Sequence, residues 1–229
     1  MFGDNPKLMS VLRFDSARFL TSAQHLQQSP PDSGAEVAFA GRSNAGKSSA
    51  MNALTRNSKL ARTSKTPGRT QLINYFSLST EDRRLVDLPG YGYAKVNRDM
   101  KEDWEKNIGE YLADRQSLMG IVLVMDVRHP MTGFDEMMVR WAIQTEMPLR
   151  VLLTKSDKLK KGPAKTTLLK VRNQLQSQAN WLSVQLFSSL NKDGVADLEG
   201  WLREQMEPES GLENITPGED SPDGQTPQV

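Results

Sequence analysis

Glu36-Val-Ala-Phe-Ala-Gly-Arg-Ser-Asn-Ala-Gly-Lys-Ser48 is the stretch on which the fold of this chain turns. Val37–Ala40 is a short apolar run that predicts a buried strand, and it runs into Gly41, Arg42, Ser43, Asn44, Ala45, Gly46, Lys47 and Ser48, the pattern G-x-x-x-x-G-K-S. Glycines at those two positions let the backbone wrap a pyrophosphate, so that successive N–H groups and the N-terminus of the next helix face it. Lys47 can reach β- and γ-phosphates and the Ser48 hydroxyl can ligate Mg²⁺. Ser49–Leu54 continues as a helix, so the loop sits between strand and helix, where a phosphate cradle requires it.

Outward from this loop, apolar periodicity predicts an alternation of strands and helices. Strands are expected at Gln71–Leu78, Arg84–Leu88, Met119–Val127, Leu149–Leu153 and Leu182–Phe187, with a further short one at Arg18–Ala23. Helices are expected at Lys47–Arg56, Met100–Arg115, Gly133–Gln144, Pro163–Gln178 and Val195–Met206. Trp104, Ile108, Tyr111 and Leu112 recur at helical spacing, and the nearly continuous apolar run 119–127 suits a central strand covered on both faces. Such a βα alternation argues for an open, mostly parallel sheet with helices on both faces and ligands at the C-terminal strand ends. The expected organisation is an N-terminal extension and linker (1–34), one nucleotide-binding domain (35–206) and an acidic tail (207–229). The tail is rich in Pro, Gly and Ser and has no aromatic residue, a composition that favours disorder.

Bulk properties narrow the classes. The chain of 229 residues suffices for one ordinary domain, and its net charge of +1 says little by itself. The distribution says more: residues 42–101 hold twelve Lys or Arg against four acids, whereas from Glu204 onward there are seven acids and no Lys or Arg. A basic surface beside a phosphate site suits anionic ligands, RNA included. Absence of cysteine excludes disulfides and Cys-metal sites and is compatible with a reducing cytosol. No apolar run approaches the ~18 residues of a membrane span, and the N-terminus lacks the apolar core of a signal peptide. The expectation is a cytoplasmic monomer.

Further chemistry falls at the predicted strand ends. Asp87-Leu88-Pro89-Gly90 matches D-x-x-G and lies 39 residues after Ser48. There Asp87 can hold the hydration shell of Mg²⁺ and the Gly90 N–H can sense a γ-phosphate. Thr154-Lys155-Ser156-Asp157 matches the guanine-reading [NT]-K-x-D. An ionised Asp157 only accepts hydrogen bonds, and guanine offers it two donors, N1–H and the exocyclic amine, where adenine does not. The Lys155 stem can cover the base, while Thr154, with one hydroxyl in place of the commoner Asn amide, should make a weaker contact. Phe187-Ser188-Ser189 can add backbone N–H groups to the guanine carbonyl. In the polar, basic loop 57–70, Thr63, Ser64, Thr66 and Thr70 are candidates for a second Mg²⁺ hydroxyl, and Thr70 is chosen because it leads directly into the next strand. Lys47, Thr70 and Gly90 are thus the residues assigned to the reaction.

Taken together, Gly41–Ser48, Thr63-Ser-Lys-Thr-Pro-Gly-Arg-Thr-Gln71, Asp87-Leu-Pro-Gly-Tyr-Gly-Tyr-Ala94, Asp126-Val-Arg-His-Pro130 and Thr154–Asp157 resemble the EngB (YihA/YsxC) family of bacterial GTPases. The similarity runs from about Ala17 to Met206. It implies a P-loop GTPase fold, GTP and GDP as ligands with Mg²⁺ as cofactor, and slow hydrolysis. It also implies a role in assembling the large ribosomal subunit, through rRNA and ribosomal proteins, and an association with normal cell division and septation. On the family pattern Gly68, Arg69, Thr70, Gln71 and Leu72 join the nucleotide contacts, with Ser48 and Thr70 as Mg²⁺ ligands.

Slow hydrolysis also follows from an absence. Signalling GTPases carry a Gln after D-x-x-G that orients the attacking water; here the residue is Tyr91, read as a packing or covering side chain. Asn44 offers another source of charge, because in some related GTPases an Asn at this loop position helps hold potassium. Two other classes remain to be separated by experiment: a signalling GTPase with a purely protein effector, and a P-loop ATPase or small-molecule kinase, against which Asp157 argues. The loops 57–70 and 90–99 carry Lys59, Arg62, Lys65, Arg69, Lys95 and Arg98 against Asp99 alone, which predicts nucleotide-dependent docking on RNA.

Overall fold

The apolar run before the glycine loop forms β2 (Ala35–Gly41), and all seven of its residues are buried. The computed structural model describes residues 12–61, 72–91 and 98–207, the side chains of 98–105 excepted. β2 is central because it pairs in parallel with β4 (Arg83–Asp87) on one side and β5 (Leu118–Asp126) on the other. Its side chains alternate between two layers, as the pleat demands. Val37 and Phe39 join the core shared with α1 (Lys47–Leu54) and α5 (Val195–Met206). Ala38 and Ala40 join the one shared with α2 (Arg98–Asp114), α3 (Gly133–Gln144) and α4 (Lys161–Gln176).

The whole sheet has seven strands in the order β1-β3-β4-β2-β5-β6-β7, with β1 at Arg18–Ala23, β3 at Ile73–Ser77, β6 at Leu149–Thr154 and β7 at Leu182–Leu186. The β4-β2-β5-β6-β7 pairs are parallel, while β1–β3 and β3–β4 are antiparallel. This is the open, mostly parallel sheet with helices on both faces that the sequence implies. The short turn 78–82 between β3 and β4 permits only a hairpin, which accounts for the antiparallel flank. Helices 133–144 and 195–206 begin and end where periodicity puts them. Pro163 lies inside the first turn of α4, where its missing N–H costs nothing, so α4 starts at Lys161. Among the described residues no helix is long and apolar enough to cross a membrane.

At the N-terminal end of β2 a carboxylate is sealed inside. Glu36 is fully buried and accepts hydrogen bonds from Arg84 Nε at 2.6 Å, Arg115 Nε at 3.0 Å, Arg115 Nη2 at 2.6 Å and the Tyr111 hydroxyl at 3.2 Å. The guanidinium groups also donate to main-chain carbonyls of 30–33, for example Arg115 Nη1 to Pro30 O at 2.9 Å. This arrangement ties the linker before β2, the start of β4 and the C-terminal end of α2 to one point. Burial of a lone carboxylate would cost several kcal/mol; two cations and a phenol remove the penalty.

Candidate functional site

At the opposite end of β2 the chain turns sharply. A Cβ on Gly41 would lie 2.6 Å from the Val124 carbonyl oxygen, so only glycine lets the turn begin this close to β5. Asn44 and Gly46 have φ of 64° and 102°, and the Ala45 N–H donates to Arg42 O at 3.0 Å. α1 then starts at Lys47 with no acid in its first turn, and its first helical bond, Ala50 N–H to Gly46 O at 2.8 Å, comes only after the opening amides. Concave backbone, helix N-terminus and lysine are an oxyanion's surroundings.

The Asp87–Gly90 segment lies against this loop. The Leu88 N–H donates to Phe39 O at 3.0 Å, which carries the β4 pairing one step past Asp87, and the Ser43 N–H donates to Tyr91 O at 2.8 Å. A Cβ on Gly90 would sit 3.5 Å from Ser43, so Gly90 touches the loop backbone. Lys47 Nζ donates to Asp87 Oδ1, and both side chains are 11% exposed. The two motifs, 40 residues apart in sequence, therefore meet through a single ion pair.

Tyr91 is buried, stacked on Phe134 with ring centroids 3.4 Å apart, and its hydroxyl donates to Asp135 Oδ1. Asp135 Oδ2 meanwhile accepts from the Thr132 N–H at 2.8 Å and the Thr132 hydroxyl at 2.7 Å at the start of α3. Burial, reinforced by the Asp135 charge, pushes the Tyr91 phenol well above its usual range. This side chain packs and does not reach for solvent.

The second half of the site comes from β6 and β7. Ser156 N–H donates to Phe187 O at 3.2 Å, and the Ser188 hydroxyl donates to Asp157 Oδ1 at 2.8 Å, so Thr154–Asp157 and Phe187–Ser189 are one unit. The Ser188 hydroxyl holds the Asp157 carboxyl below the usual carboxylate range, which keeps it ionised. Lys155, at φ 58°, reaches back across the glycine loop: its Nζ donates to Asn44 O at 2.7 Å and lies 3.0 Å from Asp126 Oδ2. Arg128, bonded to the same carboxylate at 2.7 Å, is the main cause of the depressed Asp126 pKa, with Lys155 adding to it.

Two expectations change in detail. The Thr154 hydroxyl was expected to face the base, but Thr154 is only 3% exposed and its hydroxyl lies between the carbonyls of Ala45 and Met125, the latter at 2.9 Å. A buried hydroxyl must find a partner, and here the partner is the glycine loop itself. Phe187 is fully buried and its N–H donates to Leu153 O at 2.9 Å, while the Ser188 N–H donates to Asp193 O at 3.1 Å. Both amides are spent inside the protein, which leaves the guanine-carbonyl contact to the chain from Ser189 onward. Asp126 and Asp135 carried no assigned role in the sequence. A signal existed for Asp135 only as the Thr132-x-x-Asp135 helix start, and for Asp126 as a carboxylate ending the central strand β5.

Thr63, Ser64, Lys65, Thr66, Gly68, Arg69, Thr70, Gln71 and Lys95 lie outside the described residues, as do the acidic residues beyond Glu207; Leu72, partly buried, leads into β3.

Against this geometry the comparisons with known proteins are specific. A family described as 50S ribosome-binding GTPase matches residues 36–155. The "Probable GTP-binding protein EngB" of Pseudoalteromonas translucida (strain TAC 125) is 55% identical over 192 residues, 83% of this chain and 86% of that protein. Among solved structures, a probable GTP-binding protein EngB superimposes with a TM-score of 0.61 at 22% identity, over 75% of this chain and 98% of that one. Translation elongation factor SelB from Methanococcus maripaludis, in complex with the GTP analogue GppNHp, gives a TM-score of 0.53 at 20% identity, over 75% of this chain and 33% of that one. These two likenesses speak for the fold alone. By sequence, the chain belongs to the EngB family of GTP-binding proteins and is a GTPase.

Proposed function

We propose that this protein is a slow GTPase switch whose nucleotide state controls its association with the large ribosomal subunit or its precursor during assembly, with the bearing on cell division and septation that the family implies. The observation that carries the nucleotide half is the meeting of the Gly41–Ser48 loop, Asp87 and the Asp157–Ser188 pair at one end of a single sheet. The ribosomal half is supported by the family description, 50S ribosome-binding GTPase, over residues 36–155.

In this reading the glycine loop receives the phosphates through backbone amides other than those of Ser43 and Ala45, which donate to Tyr91 O and Arg42 O, and Lys47 leaves Asp87 to contact β- and γ-oxygens. Asp157 accepts from guanine N1–H and the exocyclic amine. Lys155, steadied by Asp126, covers the base, and Ser189 approaches the guanine carbonyl. Magnesium fits the donor set, since Ser48 and Asp87 offer hard oxygens on either side of Lys47. Among the described residues no group of three or more His, Cys, Asp or Glu could hold a metal by itself, so the remaining positions would fall to phosphate oxygens, water and Thr70. Bound there, the ion would neutralise charge developing on the β- and γ-phosphates. Gly90 reports the γ-phosphate through its N–H, next to a loop it already touches.

Hydrolysis adds water to the γ-phosphorus and breaks its bond to the β-phosphate oxygen, giving GDP and phosphate. Burial of Tyr91 and its bond to Asp135 support a slow reaction, because no side chain at that position orients the water. A partner, or potassium held with the help of Asn44, would then supply the missing charge; turnover in potassium against sodium buffer tests the latter. Co-sedimentation with purified ribosomal subunits in GDP, GTP and a non-hydrolysable analogue tests the whole reading. Pelleting with the large subunit in the triphosphate state is expected. Equal absence in all three states would overturn the ribosomal assignment and favour a purely protein effector.

A further inference from the structure

One stretch, beginning beside Asp157, carries a run of cations of which only Lys158, 3.4 Å from Asp157, has an ion pair among the described residues. From Lys158 to Lys192 there are seven Lys or Arg and not one Asp or Glu. Lys158, Lys160, Lys161, Lys165, Lys170 and Lys192 are all exposed. Most of these cations sit on or just before α4, whose inner face (Ala164, Val171, Leu175) is buried against the sheet. Lys161, Lys165 and Arg172 recur on one flank at i, i+4 and i+11, which at 1.5 Å per residue sets the first two about 6 Å apart along the axis.

The placement of these charges opposes the helix's own electrostatics. Positive charge at a helix N-terminus meets the positive end of the macrodipole. α4 nevertheless opens on Lys160 and Lys161, with no acid in its first turn and no side-chain cap. Its neighbours follow the ordinary rule: α3 opens on a Thr132–Asp135 capping box with Asp135 and Glu136 in its first turn, and α5 has Asp197 in its first turn and Arg203 in its last. Solubility alone would be served by mixed signs, as on α3, where Arg140 and Glu136 face each other at 3.8 Å. The same rule is broken at α1, which opens on Lys47 with no acid in its first turn and no side-chain cap and where the loop motif calls for a phosphate; its breach on α4 likewise points to a ligand that supplies the missing negative charge.

We propose that the outer face of α4 is a docking surface for the phosphate backbone of structured RNA, formed independently of nucleotide state. That the polyanion is RNA rests on the ribosomal reading above. The face is rigid, since α4 packs on β7, and Leu169 is the one large apolar side chain it exposes. An anionic membrane would call for an apolar face to insert, and the apolar face of α4 is spent on the core. Docking here would hold the protein on RNA while the 57–70 and 90–99 loops report the nucleotide.

The test compares wild type, Lys161→Ala/Lys165→Ala and Lys161→Arg/Lys165→Arg in the full chain. Binding to deproteinised large-subunit rRNA, to intact large subunits and to anionic lipid vesicles is measured from 50 to 300 mM salt, with GDP affinity as a control for folding. The expected result is rRNA binding in both GDP and GTP-analogue states, with a salt slope reduced by up to about 1.5 units in the Ala variant and restored by Arg. Unchanged GDP affinity in all three places the defect on the docking surface. An equal slope in wild type and the Ala variant, or no rRNA binding by wild type, overturns the proposal. So does loss of subunit binding without any rRNA binding, which would make the face a protein contact, or α4-dependent binding to vesicles alone. If α4-dependent rRNA binding is seen while intact subunits are ignored, the docking surface stands and the ribosomal reading fails.

Discussion

The two ends of β2 hold the two most instructive buried charges in the molecule, and they are built in opposite ways. At Glu36 every oxygen is used: two guanidinium groups and a phenol converge on a carboxylate that is fully buried. About 10 Å along the strand, where Asp87 pairs with Phe39, Lys47 and Asp87 are both buried to about nine-tenths, yet their ion pair gives Lys47 one carboxylate contact for its three donors. The difference separates a structural charge from a functional one. A saturated cluster has nothing left to offer a ligand, whereas a pair with donors and acceptors to spare can exchange its partner for phosphate and metal.

If that contrast is right, the two ends should fail differently. Arg115→Ala leaves Glu36 with one guanidinium and should cost about 3–5 kcal/mol of folding stability; chemical denaturation would measure it, and GDP affinity of the folded fraction should match wild type. Lys47→Ala should do the reverse. Losing about two charge-assisted phosphate contacts should weaken GDP and GTP roughly 100-fold or more, with a much smaller shift in the unfolding midpoint. A large stability loss in Lys47→Ala with nucleotide affinity intact would erase the distinction.

Tyr91 sharpens the comparison because it lies beside the functional end but is wired like the structural one. Tyr91→Phe removes a hydrogen bond to the buried Asp135 carboxyl and should cost about 1.5–3 kcal/mol. Single-turnover GTP hydrolysis should change less than threefold, and a hundredfold drop would make Tyr91 part of the reaction. The smallest effect concerns pH. Asp126 and Asp157 have folded pKa values below their unfolded ones, so their contribution to stability is fully present above about pH 4 and is lost only as pH falls through the lower folded values. Both stay ionised from pH 5 to 8, so across that window the pH dependence of GDP affinity should follow the ligand's own terminal phosphate, which titrates at about pH 6, and Asp157→Asn should leave its shape unchanged.

The functional end was the legible one. Gly41, Gly46, Lys47, Asp87 and Asp157 stand out in the sequence because a phosphate, a metal and guanine would each demand one residue type at one spacing, and the 2.6 Å approach of the Val124 carbonyl is a separate, packing reason for glycine at 41. Glu36 stayed invisible: its partners are 48 and 79 positions away, and one carboxylate before an apolar strand has no periodic signature. The same holds for Tyr91 and Asp135, which are 44 residues apart. Thr154 and Phe187 stand out in the sequence by position, but which way a hydroxyl or an amide points is decided by the neighbours that burial brings.

The most direct test of the central claim, a guanine site assembled from Asp157 and the loop that Ser188 fixes to it, is nucleotide selectivity of Asp157→Asn. An amide presents an NH2 donor group where the carboxylate presented only acceptors, so it matches the 2-oxo group of xanthine and no longer the amine of guanine. Competition titration should show GDP and GTP weakened at least tenfold, with each lost charge-assisted bond worth about 1.5–3 kcal/mol, and xanthosine diphosphate bound more tightly than GDP. Unchanged preference for guanine over xanthine in the variant would contradict the account.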